Sequence, residues 1–214
     1  MFDSGISVKN LIKELKETEV DIALDIPTVT YVSWLNSLQQ LLYGEVIREK
    51  RRFELSGCED GKISISSIEP KENEANPRFE DIYAIYVKRG GYDRQLIKTN
   101  FASGTIFPDS FYKDGNDIGI NVGDGTNSIT IIYNVRPKLV EVDENDEIID
   151  VNENEIVTVM LPIEFIDLAK AKLRGEAYKL ANEDGIAAKW LNDYNVHVET
   201  FKNWLSGKAT NFGI

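Results

Sequence analysis

One stretch decides the fold class of this 214-residue chain: Ile82-Tyr83-Ala84-Ile85-Tyr86-Val87-Lys88-Arg89-Gly90-Gly91-Tyr92-Asp93-Arg94-Gln95-Leu96-Ile97-Lys98. Two runs rich in β-branched and aromatic residues flank a pair of glycines, and a two-residue hairpin turn needs the positive φ angles that glycine adopts easily. The sequence therefore predicts an antiparallel hairpin at this point. It lies in the middle of a chain whose two ends have helical periodicity.

The β pattern extends from residue 53 to residue 160. Further strands are predicted in Asp117–Val122, Ser128–Val135, Leu139–Val142, Ile148–Val151 and Ile156–Leu161. The first two are predicted to form a second hairpin around a glycine-rich loop, and the next two to pair across an acidic turn. Lys113–Asn116 predicts another turn, and residues 60–78 are polar and predicted to be mostly loop.

Amphipathic helices are predicted on both sides of the β segment. A short helix covers Val8–Lys16, and a long one begins with Thr28 as its N-cap and runs to about Lys50. Two further helices, Phe165–Leu180 and Ala187–Leu205, are separated by the break Asn182–Gly185 and form an antiparallel pair. No stretch is apolar enough to span a bilayer, and no signal peptide is expected.

These patterns predict an α+β fold with a discontinuous four-helix bundle. Residues 1–52 and 161–214 contribute two helices each, and residues 53–160 form an antiparallel β domain inserted between them. The composition, with 42% hydrophobic and 28% charged residues, is that of a globular chain. The single cysteine, Cys58, is consistent with a reducing compartment.

The charge is concentrated in the β segment. The chain carries a net charge of −12, and residues 53–160 contain 10 basic against 21 acidic side chains. Proteins that grip nucleic acid do so through basic surfaces. A protein that grips DNA is therefore a poor hypothesis, whereas one that stands beside DNA without holding it remains open.

The search for catalytic groups favours a protein that is not an enzyme. His197 has Asp193 four residues earlier on a predicted helix, which permits a general base oriented by a carboxylate, but a helix-surface histidine is the favoured interpretation. No nucleophile motif surrounds any serine or Cys58. One histidine and one cysteine exclude the usual zinc sites, and the glycine-rich loops lack the phosphate-binding pattern, so no cofactor or metal is expected.

Two binding hypotheses concern the β segment. Residues 141–155 hold eight carboxylates, which suggests a calcium loop, but Ile148 stands where that loop requires glycine, and a solvated acidic hairpin is favoured. An aromatic platform for a glycan is the second hypothesis, and its candidate residues are Tyr83, Tyr86, Tyr92, Phe111 and Tyr112.

A basic run closes the long N-terminal helix in this prediction. Its cations are Arg48, Lys50, Arg51 and Arg52, and they suit the negative end of a helix dipole. The same cations are a candidate surface for a protein partner.

The C-terminal third contains Tyr133-Asn134-Val135-Arg136-Pro137, an acidic spacer, Met160-Leu161-Pro162-Ile163-Glu164-Phe165, and a helix with Ala187-Ala188-Lys189-Trp190-Leu191. This order resembles the head-to-tail adaptor proteins of tailed bacteriophages, in which a β-type segment leads through a Leu-Pro step into an αα-hairpin. The N-terminal helices, with Trp34-Leu35-Asn36 near the start of the second, agree more loosely. The resemblance covers residues 1–50 and 130–206.

The resemblance implies a structural protein of the virion neck, assembled in the host cytoplasm. Such proteins form a ring, commonly twelvefold, on the portal protein, extend the DNA channel and join the tail. The acidic loop of Asp143, Glu144, Asp146 and Glu147 is then expected to face the channel, where it repels phosphate. Phe212 and Ile214 in the C-terminal tail, together with the basic run, are expected to meet portal or tail partners.

Two other functions stay open on the sequence. One is a different virion component, such as a tail-completion or baseplate protein. The other is a non-viral module whose β domain binds a glycan or small molecule.

Overall fold

The computed structural model describes residues 4–18, 25–56, 61–68, 78–100, 107–122, 126–150 and 156–211. The described residues form four α-helices and two sheets in which all strand pairs but one are antiparallel. The predicted mixture of helices and antiparallel strands is therefore confirmed. The chain divides into two compact units, the first made of Met1–Ile47 and Pro137–Ile214, the second of Arg48–Arg136.

These boundaries differ from the expected ones at residues 52/53 and 160/161. The second unit begins earlier because the basic run is already part of a strand rather than the end of a helix. It ends earlier because residues 137–150 and 156–161 pack with the helices. Val140, Ile148 and Leu161 from this stretch are buried in the same core as the helical side chains.

The first unit contains the α-helices. They are α1 (Val8–Thr18), α2 (Thr28–Leu41), α3 (Ile166–Leu180) and α4 (Asp184–Asn211), with a π-helical turn at Leu42–Ile47 and a 3-10 turn at Ile163–Phe165. The N-cap of α2 is Pro27, and Thr28, the expected cap, is the first helical residue. The helical stretch ends at Ile47 rather than Lys50, and Arg48 follows with a φ of 47°.

α3 contacts each of the other three α-helices, and its contact with α4 is the most extensive of the three. A Cβ added at Gly175 of α3 would lie 2.7 Å from the Leu191 side chain of α4, so any larger residue there would force a neighbouring group to move. Near the other end of α4, Phe165, Phe201 and Trp204 form an aromatic cluster. The predicted antiparallel pair of C-terminal helices is confirmed.

Polar side chains of α2 bind the backbone of the two irregular segments 137–150 and 156–161. Asn36 exchanges two hydrogen bonds of 2.9 Å with the backbone of Val140. Gln39, only 1% exposed, accepts a 2.7 Å hydrogen bond from the backbone N–H of Met160. The strand predicted at Ile156–Leu161 forms only an isolated bridge, in which Thr158 pairs with Ser7.

The second unit contains the strands. They are β1 (Lys50–Ser56), β2 (Gly61–Ser64), β3 (Arg78–Arg89), β4 (Tyr92–Gln95), β5 (Ile97–Lys98), β6 (Ser110–Asp114), β7 (Asp117–Asn121) and β8 (Thr126–Arg136), with a 3-10 turn at Ile65–Ser67. One sheet has the order β1-β8-β3-β4 and the other β2-β7-β6-β5. The two sheets share one core, to which the first contributes Ile85 and Ile131 and the second Ile118.

Two of the predicted turns are confirmed. β3 and β4 pair around Gly90 and Gly91, whose φ angles are 58° and 86°, and β6 and β7 pair around Gly115. The hairpin predicted between β7 and β8 is wrong, because β7 lies between β2 and β6 whereas β8 lies between β1 and β3. β7 and β8 therefore belong to different sheets.

Candidate functional site

The acidic loop is a closed turn whose first aspartate bonds to its own backbone. Val142 and Ile148 form an antiparallel bridge that closes the turn. Inside it, the Oδ1 atom of Asp143 accepts hydrogen bonds from the backbone N–H groups of Asn145 (2.9 Å) and Glu147 (2.8 Å). The Glu147 hydrogen bond is the main reason why the pKa of Asp143 lies below its usual range. The pairing predicted across this turn is confirmed as a single bridge.

Asp146 connects the loop to helix α2. It has a φ of 64°, and its Oδ2 and Oδ1 accept hydrogen bonds from the backbone N–H groups of Thr28 (2.6 Å) and Val29 (2.7 Å). Partial burial works to raise the pKa of this carboxyl, but the two backbone donors outweigh it and the pKa is lowered. Asp146 therefore supplies the hydrogen-bonding cap that α2 lacks from its own Pro27.

The four predicted loop residues thus have two different roles. Asp143 and Asp146 serve the local structure, whereas Glu144 and Glu147 are exposed and their carboxylates accept no hydrogen bond from the described residues. Across the described ranges, no group of three or more His, Cys, Asp or Glu side chains is arranged to hold a metal ion. That the loop faces a DNA channel remains a prediction.

A groove of about 320 Å³ lies beside this loop. Its lining includes the apolar side chains of Ile12 and Ile148 and three lysines of α1, namely Lys9, Lys13 and Lys16. Three carboxylates, those of Glu17, Asp146 and Glu147, also line it and balance the lysine charges. The groove therefore has no excess charge of either sign to select a ligand.

The basic run begins the edge strand of a sheet. Arg48 precedes β1, and Lys50, Arg51 and Arg52 are its first three residues. Because the helical stretch has already ended at Ile47, the prediction that these cations form the end of the helix is wrong. β1 pairs with β8 on one side and has no second neighbour among the described strands.

The cations of β1 lie on both faces of the strand, because successive side chains of a strand point to opposite faces. Exposure alternates along the strand, so that Lys50 and Arg52 are exposed whereas Arg51 is half-buried on the face that carries Phe53. Arg51 lies 3.7 Å from Glu49, and Arg52 forms an ion pair with Glu54. Those two cations are thus partly neutralised.

Lys50 and Arg48 have different surroundings. The Lys50 Nζ lies 3.4 Å from the centre of the Tyr83 ring. Neither Lys50 nor Arg48 forms an ion pair with a carboxylate of the described residues. The other residues expected to bind partners, Phe212 and Ile214, lie outside the described residues.

The five aromatic residues predicted to form a glycan platform differ in their exposure to solvent. Phe111 is buried, Tyr86 is half-buried, and the Tyr112 ring packs across β6 and β7 over Gly119, where a Cβ would approach it to 2.2 Å. Tyr83 and Tyr92 are exposed, at 56% and 81%. One face of the Tyr83 ring is covered by Lys50, so Tyr92 is the one of the five candidates whose ring is exposed without such a contact among the described residues.

His197 lies half-buried on α4 and forms no hydrogen bond or ion pair with Asp193 in the part of the chain that the structure describes. The geometry supplies no oriented base at this position. A general-base role consequently has no support beyond the spacing of the two residues.

One polar cluster escaped the sequence analysis. Asp109, with a φ of 54°, accepts hydrogen bonds from Arg89 (2.8 Å) and Arg94 (2.6 Å). The Arg94 hydrogen bond is the first cause of its lowered pKa. Ile97 donates its backbone N–H to the Asp109 carbonyl, so the cluster ties the β4–β5 edge to β6. No local pattern in the sequence links these residues.

No family model matches the chain, and none of the curated proteins is significantly similar to it. None of the described helices combines the length and apolarity that a membrane span requires.

Proposed function

We propose that this protein is a structural component of a tailed-bacteriophage virion, a head-to-tail adaptor that forms a ring on the portal protein. In this role it extends the DNA channel and provides the surface to which tail proteins attach. The role is one of assembly and requires no catalysis, cofactor or metal.

The order of elements carries this proposal. α1 and α2 precede the β unit, and α3 and α4 follow the Leu161-Pro162 step. Gly175 and Leu191 hold α3 and α4 close together as an αα-hairpin. This is the order on which the resemblance to the adaptor family rests.

We further propose that the four α-helices form a discontinuous bundle, with the β unit inserted between its second and third helices. The contacts of α3 with α1, α2 and α4 support this arrangement. So does an ion pair of 2.5 Å between Lys170 of α3 and Glu14 of α1. The inserted unit has its own core, as expected for an insertion.

The acidic hairpin fits a channel that DNA must traverse without sticking. Residues 141–150 contain six acidic and no basic side chains. Glu144 and Glu147 keep their charges exposed because the turn is held by Asp143 and Asp146 instead. A wall of such carboxylates repels phosphate and keeps DNA mobile.

Co-sedimentation with a portal ring tests the proposal. The purified chain is mixed with the portal protein encoded near it and separated on a density gradient. We expect the chain to move with the portal at a fixed ratio of subunits. Binding to isolated tails but not to the portal would instead assign it to the tail, and binding to neither would contradict a role at the neck.

A further inference from the structure

The buried side chains of this protein form two separate cores. The helical unit (Met1–Ile47 with Pro137–Ile214) contains one, which includes Leu173, and the β unit (Arg48–Arg136) contains the other, which includes Ile131. Among the described residues, every member of each core comes from a single unit. Burial of apolar surface is the dominant favourable term in folding, and each unit therefore has its own source of stability.

The two ends of the β unit lie side by side. Its strands β1 and β8 are antiparallel neighbours, and their pairing begins with Lys50 opposite Asn134. One residue further out, the Glu49 carbonyl oxygen accepts a hydrogen bond of 3.1 Å from the backbone N–H of Val135. The folded β unit consequently holds together the points at which the chain enters and leaves it.

We infer that the β unit is a module that unfolds and refolds on its own, and that its folded state closes the connection between the two parts of the helical unit. The chain then has a partly unfolded form in which the β unit is open and the helices persist. In the folded form, the module keeps Ile47 near Pro137, which lowers the loop-closure entropy opposing the packing of the helices. The inference concerns folding and holds whether or not the chain binds a portal.

The persistence of the helices follows from the way in which loop closure depends on length. The entropy cost of joining the ends of a flexible segment grows only with the logarithm of its length. An unfolded β unit therefore weakens the helical unit but removes none of its core side chains, such as Leu35 and Leu161. Native proteins open locally in cooperative units of this kind, each with its own free energy.

Native-state amide hydrogen exchange on the full chain tests the separation of the two units. I131A truncates a fully buried side chain of the β core, and L173A truncates one of the helical core. We expect I131A to accelerate the slowest amides of the β unit about 30-fold or more and to leave those of the helical unit within about threefold of their natural rates. L173A is expected to give the reverse pattern.

Two variants with the same chemistry at exposed positions are the controls. Ile97 of the β unit is 66% exposed and Leu180 of the helical unit is 49% exposed, so I97A and L180A should change exchange little in either unit. Equal acceleration of both units by I131A, or by L173A, would show that the chain opens as one cooperative structure. That result would overturn the inference.

The closing of the connection is tested by opening the module within the full chain. I118A/I131A truncates two fully buried side chains of the β core, and urea is added until the β amides exchange at the rate of an unfolded chain. We expect the helical amides to remain protected under these conditions. Their protection should nevertheless be weaker than in the natural chain at the same urea concentration, because the connection is no longer held closed.

Two results of this second experiment would contradict the inference. Helical amides that lose their protection together with the β amides would show that the helices do not persist without the module. Helical amides that keep the full protection of the natural chain would show that the folded module does not assist the helical unit. Far-ultraviolet circular dichroism of the same samples measures the helix that remains.

Discussion

Asp146 and Thr28 are joined by a hydrogen bond of 2.6 Å between the carboxylate Oδ2 and the backbone nitrogen, although 118 residues separate them in the chain. The same carboxylate accepts a second hydrogen bond from Val29. It thereby satisfies two of the backbone donors that a helix leaves unpaired at its N-terminus. The acidic hairpin and α2 are fixed to each other by one side chain.

Replacing Asp146 with glycine tests this cap. Glycine tolerates the φ of 64° and removes the carboxylate, so D146G is expected to lower the free energy of unfolding by about 1–2 kcal/mol. Amide hydrogen exchange in α2 measures the loss. The matched control is N182G, because Asn182 has a φ of 61° and its exposed side chain forms no hydrogen bond with the described residues. A similar loss in N182G would attribute the effect to glycine itself.

The contribution of Asp146 is also expected to depend on pH. Its pKa is lower in the folded protein, so the stabilisation is fully present above the ordinary aspartate pKa of about 3.9 and is lost as the pH falls through the folded value. The difference in unfolding free energy between the natural chain and D146G should therefore be largest near neutral pH and shrink in acid. A difference that grows in acid would contradict the cap.

Gln39 is predicted to stabilise the stretch that follows the β unit, through its hydrogen bond with Met160. The variant Q39M keeps the side-chain volume but leaves the backbone N–H of Met160 without its acceptor, and we expect a loss of about 1–3 kcal/mol. Q40M is the control, since Gln40 donates a longer hydrogen bond of 3.3 Å to Pro137. Equal losses for the two variants in denaturant titrations would show that the Gln39 bond has no special weight.

The contact of Gly175 with Leu191 predicts a non-additive pair of substitutions. G175A forces a methyl group into Leu191 and is expected to cost about 1–3 kcal/mol. L191A makes room, so the double variant should lose less than the sum of the two single variants. G185A is the control, because nothing lies within 4 Å of a Cβ at Gly185. Strict additivity would argue against the close approach.

Asp109 supports a fifth prediction, in the β unit. D109N keeps a residue that tolerates a φ of 54° but removes the charge that Arg89 and Arg94 share. Because Arg94 is largely exposed, we expect a loss of only about 0.5–1 kcal/mol at neutral pH. The pKa of Asp109 is lowered, so this loss should disappear as the pH falls through the folded value. Denaturant unfolding at several pH values measures it.

Local patterns predicted the parts of the fold that depend on near neighbours. The spacing of Leu168, Leu173 and Ala177 indicated α3, and Gly90-Gly91 indicated the β3–β4 hairpin. The pairing of β8 with β1 and β3 could not be predicted, because sheet order depends on contacts between residues far apart in the chain.

The candidate surfaces show the same limit. The cap on α2 comes from Asp146, which is far from the helix in the sequence. Capping residues are predicted from positions next to the helix, and that rule pointed to Thr28 instead. The basic run did contain a usable signal. Arg51, Phe53 and Leu55 alternate with exposed residues, the period of a half-buried strand, but the preceding helical periodicity concealed it.

Imaging tests the central claim most directly. The purified chain is mixed with the portal protein encoded near it and examined by negative-stain electron microscopy with averaging along the portal axis. The adaptor role predicts an additional ring layer on the tail-facing end of the portal, with the rotational symmetry of the portal itself. Bare portals beside a chain that remains monomeric at every ratio tested would contradict it.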